Sequence, residues 1–118
     1  MGFLDRFRQK RPPGPELDLL NLAKLRSRGA DLTKPRHVVF FSYFADETAA
    51  RNAAAAIEPA GYEVTLAAPG EDVREWAVRA ETTRVVDESN VAAFRAQFER
   101  VAVEHGGEYD GWEAAAEP

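Results

Sequence analysis

Apolar positions change period several times along the chain, and each change marks an element. In ELDLLNLAKLRSRG, residues 16–29, Leu19, Leu22, Ala23 and Leu25 recur at helical spacing. Acids stand at its start, bases at its end, and Gly29 follows as a stop, so the run predicts a helix. Pro35 then disfavours helix at Lys34 and leads into HVVFFSYF, residues 37–44, a β-branched and aromatic run of strand length. Both faces of that run are apolar, which predicts a strand in the middle of a sheet.

Asp46 is the expected N-cap of an alanine-rich helix, ETAARNAAAAIEPA, that ends near Pro59 and Gly61. Its alanines leave a smooth face that can lie close to a sheet, with Ile57 as the largest apolar group. GYEVTLAA reads as a second strand, Pro69-Gly70 as a turn, and VREWAVRAETTRVV as a third strand. In the third, Trp76, Val78, Ala80 and Thr82 share one face and Ala77, Arg79, Glu81 and Thr83 the other. Asp87 caps a last helix, ESNVAAFRAQFERVAVEHG, in which Val91, Phe94, Phe98, Val101 and His105 repeat at heptad-like spacing. Arg95 with Glu99, and Arg100 with Glu104, are four-apart pairs expected on its outside. Gly106 is the expected left-handed C-cap. EYDGW, residues 108–112, is left for one short strand.

The order is an extra helix followed by β-α-β-β-α-β. It predicts an α+β, ferredoxin-like domain: a four-stranded antiparallel sheet with helices on one face, the first and third strands central, and the last beside the first. In a regular strand Tyr109 and Trp112, three residues apart, would point to opposite faces. A bulge at Asp110-Gly111 sets two residues against one and turns both rings to the same face, and glycine suits the backbone such a bulge requires.

Charge divides the chain unevenly. Residues 1–36 hold nine basic against four acidic side chains, a balance of +5. Residues 37–118 hold six against sixteen, or −10, and the two together give the net −5. The expected organisation is a basic, flexible leader over 1–15, a single domain over 16–113 and a disordered tail over 114–118. In the leader, Phe3, Leu4 and Phe7 interleave with Arg6, Arg8, Lys10 and Arg11 before a run of prolines. The acidic domain repels phosphate backbones and favours basic partners or solubility. No apolar run reaches the roughly 18 residues that a membrane helix needs. The lack of cysteine removes disulfide and thiolate chemistry, and a cytoplasmic location is the expectation.

Reactive chemistry is sparse. His37, His105, Ser27, Ser42 and Ser89 form no triad-like or nucleophile-elbow signature. Glu71-Asp72 and Asp87-Glu88 lack the spacing of a calcium loop and read as turn and cap residues. Gly106-Gly107 follows a helix instead of preceding one and so offers no phosphate site. No metal or cofactor is expected. Phe41 and Tyr43 on a central strand leave a single-stranded RNA platform as one alternative, with Arg79 and Glu81 and the acidic balance against it. A small dimeric ferredoxin-like enzyme is another, for which no acid–base set stands out.

The leading helix with LRSRGADLTKPR, the strand HVVFFSYF, the helix ending in GYEV and, most specifically, the terminal GGEYDGW resemble the regulator of ribonuclease E activity B family over residues 16–113. The resemblance implies a non-enzymatic inhibitor that docks on a ribonuclease, or on its basic scaffold segment, and lowers cleavage of RNA. The expected state is a monomer or weak homodimer. Tyr109, Asp110 and Trp112 are the candidate partner contacts, because aromatic groups make strong interface anchors. The alternative for both rings is that they pin the last strand to the first.

Overall fold

A computed structural model describes residues 14–116. Of the leader expected over 1–15, only Gly14 and Pro15 fall within the described residues, and both belong to the first helix. Residues 117 and 118 of the expected tail lie outside them.

Helix α1 spans Gly14–Ser27, with Glu16 in its first turn and Lys24 and Arg26 in its last, the arrangement that suits the helix dipole. Strand β1 spans Pro35–Phe44. Helix α2, Glu47–Ile57, begins where the Asp46 carboxylate accepts the Ala49 N–H at 2.8 Å. A 3-10 turn over Glu58–Ala60 leads to strand β2, Glu63–Ala67, and then to β3, Trp76–Val85. Helix α3, Glu88–Glu104, is capped by Asp87, which accepts the Asn90 N–H at 2.8 Å. Strand β4 closes the sheet over Glu108–Ala114.

The sheet order is β2-β3-β1-β4, antiparallel throughout, so the ferredoxin-like arrangement and the central places of β1 and β3 hold. Strand β1 is buried on both sides. Val38, Phe40 and Phe44 enter the main core with the helices, while Val39, Phe41 and Tyr43 form a second cluster with Ala77, against which Val73 packs. Ala50, Ala53 and Ile57 are the buried positions of α2, as the alanine pattern requires. The core centres on stacked rings: Phe40 lies 4.6 Å from Phe98, and Phe98 lies 5.6 Å from Tyr109. Tyr62 meets both Phe40 and Phe98 edge to face.

Helix α1 is rotated away from its most apolar stripe. Its buried residues are Asp18, Leu22 and Leu25, whereas Leu19 and Leu20 are half exposed. A carboxylate has displaced a leucine from the buried line, and its partners, described below, are the reason.

The junction of α3 and β4 depends on Gly107. A Cβ there would overlap the Phe44 ring and the Tyr43 carbonyl oxygen, and the Gly107 N–H bonds to the Ala102 carbonyl at 2.7 Å. Gly107→Ala will therefore destabilise the protein by about 1–3 kcal/mol through overpacking. A urea midpoint equal to that of the unaltered chain would contradict the close approach.

Candidate functional site

Strand β4 carries the bulge expected from EYDGW. Gly111 pairs with Phe41 and Tyr109 with Ser42, so Asp110 is the extra residue. Gly111 adopts a φ of +103°, where a side chain would be strained. The bulge brings Tyr109 and Trp112 to one face: both rings belong to the core beneath the helices. Trp112 is 3 % exposed and Asp110 4 %, while Tyr109 is half-buried, stacked on Phe98.

The indole N–H of Trp112 donates to Asp18 Oδ1 at 2.9 Å. That carboxylate also receives Arg95 through a two-pronged contact, Nε to Oδ2 at 2.7 Å and Nη2 to Oδ1 at 3.1 Å. Arg95 Nη1 donates to Glu99 Oε2 at 2.7 Å, and the guanidinium carbon lies 5.0 Å from the centre of the Tyr109 ring. Burial works against the charge of Arg95, but its hydrogen bonds to Asp18 and Glu99 outweigh burial and hold it above arginine's ordinary pKa. One polar unit thus ties α1, α3 and β4 together inside an otherwise apolar interface. The Arg95–Glu99 pair forms as its spacing predicts. Its arginine, however, is not on the outside, because the side chain is only 11 % exposed.

Sequence reasoning missed Asp18 and placed Arg95 on the outside of its helix. The available signal was weak: Asp18 stands four residues before Leu22, on the same side of its helix. Arg36 was missed as well. It is buried, and its two terminal nitrogens bond the Ala115 carbonyl at 2.6 Å and the Asp31 carbonyl at 2.8 Å, fastening the segment after β4 to the loop before β1.

Beside β4 lies a groove of about 480 Å³, whose lining includes Leu17, Lys24, Leu25 and Arg28 from α1 and its end, and Trp112 and Glu113 from the strand. On the sheet face away from the helices, pairing puts Glu113 and Glu81 on either side of Val39 and puts Glu63 opposite Glu81. Three glutamates, with Val39 between Glu81 and Glu113, therefore form one row across the sheet. Glu81 meets His37 Nε2 at 2.9 Å and Arg79 Nε at 3.4 Å. Phe41 and Tyr43, the candidate base-stacking rings, are buried, at 7 % and 2 % exposure.

The matching family model is described as regulator of ribonuclease activity B and covers residues 21–114. The chain belongs to the regulator of ribonuclease activity B family. The matched region runs from Asn21 in α1 to Ala114 at the end of β4, so it contains the whole sheet, the bulge and Trp112. Asp18, which receives the indole N–H, lies just ahead of it. No curated protein matches the chain. Of the acidic pairs read as turn and cap residues, Asp87 caps α3. Among the described residues no three His, Asp or Glu side chains gather into a metal-binding group, and no helix is long and apolar enough to cross a membrane.

Proposed function

We propose that this regulator acts without catalysis, by docking on a ribonuclease of the E type or on its basic scaffold segment and lowering its cleavage of RNA. Family membership supports a regulator of ribonuclease activity. The observation that carries the docking reading is the row Glu113, Glu81 and Glu63 across the sheet. Like charges directly opposite one another on neighbouring strands are destabilising, and Glu63 faces Glu81 in that way. Arg79 at 3.4 Å and His37 at 2.9 Å already offset part of this opposition at Glu81. A lysine or arginine supplied by a partner relieves the remainder at Glu63, while the acidic balance of residues 37–118 steers a basic segment toward the surface.

In this reading the partner lies along the groove between α1 and β4 and meets Trp112 only through the small exposed part, 3 % of the residue, that lines it. Tyr109 and Asp110 hold the strand that forms one wall of that groove. The chain works as a monomer or weak homodimer in the cytoplasm. The single-stranded RNA reading is less well supported, because a stacking platform needs accessible rings and Phe41 and Tyr43 are buried.

The test is Glu63→Lys, which replaces the opposed pair by an attractive one. It should raise stability by about 0.2–1 kcal/mol while weakening binding to purified ribonuclease E and reducing the salt dependence of that binding. The opposite signs of the two effects separate a docking surface from a merely destabilised fold. Calorimetric titration, with a fluorescent RNA cleavage assay alongside, provides the measurement. Unchanged affinity for both the enzyme and its isolated scaffold segment would remove the sheet face from the account.

A further inference from the structure

A second surface lies on the helix side of the molecule, away from the glutamate row. Between α1 and α3 runs a groove of about 350 Å³. Its deepest apolar groups are Leu22 and Val91, at 1 % and 2 % exposure, and Leu19 is 50 % exposed along it. Ala92 and Ala96 on α3 are small and exposed, so the backbone of α3 can be approached closely there. Val103 is 79 % exposed and lies seven residues beyond Ala96, two turns further along the same line of the helix. A half-exposed leucine on α1, along the groove, and a nearly bare valine on α3, just beyond it, are more than the single scattered apolar residues that a surface normally carries.

The charges of this groove are one-sided. Asp18, Glu88 and Glu99 line it against one cation, Arg95, whose hydrogen-bonding capacity is directed to Asp18 and Glu99. Glu88 is exposed at the N-terminal turn of α3, and Glu16 is exposed in the first turn of α1. A groove between two packed helices accepts a third helix, whose ridges fit between theirs, more readily than an extended strand. From Glu88 to Val103 the line is about 22 Å long at 1.5 Å per residue, which matches a partner helix of about four turns.

We infer that the α1–α3 groove docks an amphipathic helix of a protein partner, one that carries large aliphatic side chains on one face and lysine or arginine along its flanks. The inference goes beyond the regulator reading in naming a second docking surface. It rests on that reading only in taking the partner to be a protein. With the glutamate row on one side and this groove on the other, the chain can hold two basic segments at once. It would then bind a partner by two weak contacts joined through their effective concentration.

The test uses the full chain and a synthetic peptide probe with leucine at i, i+3, i+4 and i+7 and lysine at the flanking positions. Methyl resonances of Leu19, Val91 and Val103 should shift on titration while that of Val39, on the far sheet face, stays fixed. A peptide of the same composition with the leucine spacing scrambled should bind about tenfold more weakly, as should one with glutamate in place of lysine. Ala96→Gln, a good helix former at an exposed position, fills the groove without changing its charge and should weaken the spaced peptide by a similar factor. Equal binding of the spaced and scrambled peptides, affinity unaffected by Ala96→Gln, or shifts centred on Val39 would each overturn the inference. So would a chain whose sedimentation shows self-association that buries Leu19 and is unaffected by peptide, because the occupant would then be a second copy. No ribonuclease enters the peptide titration, so its failure leaves the regulator reading intact. Loss of ribonuclease binding in Glu63→Lys, in turn, leaves the peptide result unchanged.

Discussion

Trp112→Ala lowers the stability of the protein by about 3–5 kcal/mol, the loss expected when a large buried ring is deleted and its cavity only partly collapses. The indole is 3 % exposed and sits in the main core, next to the bulge of β4. Trp112→Phe separates packing from hydrogen bonding. The six-membered ring is retained, so the loss should be the roughly 1 kcal/mol net value of one hydrogen bond plus the packing of the missing five-membered ring, well below that of Trp112→Ala, since Asp18 keeps both of its contacts with Arg95. Urea unfolding of the three proteins checks the order. A drop of less than about 1 kcal/mol for Trp112→Ala would mean that the ring is not a core element, and binding to ribonuclease would then become its explanation. A pull-down on the same variants shows whether Trp112 carries both roles, because the Phe variant should bind normally if only the core role exists.

The second large effect is expected at Asp18. Asp18→Ala leaves the Arg95 guanidinium in a mostly buried position with Glu99 as its remaining carboxylate, and removing one partner of a buried ion pair costs about 3–5 kcal/mol. The partly exposed Glu99 retains some compensation, so the lower end of that range is expected. The double variant Asp18→Leu with Arg95→Met takes both charges out together and should recover much of the loss, because an apolar pair of similar volume can replace a buried ion pair at little cost. A double-mutant cycle by denaturant unfolding gives the coupling directly. The effect should persist in high salt, since buried pairs are screened much less than surface pairs. Additive losses, with no coupling between positions 18 and 95, would show that the contact does not hold α1 to the domain.

These two residues mark where sequence reasoning stops. Asp46 and Asp87 were legible as caps because each bonds an N–H three residues away, a relation contained within one helical turn. The central place of β1 was legible from apolar groups on both of its faces. The bulge was legible from Tyr109 and Trp112 flanking an Asp-Gly pair. By contrast, the Trp112–Asp18 bond spans 94 positions and the Arg95–Asp18 contact spans 77, and nothing in the local pattern of either residue names the other. The glutamate row has the same origin. Glu63, Glu81 and Glu113 lie on three strands, and only the register of the sheet aligns them.

The amino-acid order by itself determined the succession of elements, their caps and the turned strand at the C-terminal end. All of these follow from short-range sterics, hydrogen bonds within a turn and the alternation or helical repeat of apolar groups. Tertiary structure alone decided that α1 buries Asp18 in preference to Leu19, that Arg95 lies inside, and that acids line both the row and the groove. A side chain's burial depends on which distant element packs against it, and a charge can be buried only when its partner arrives from elsewhere in the chain.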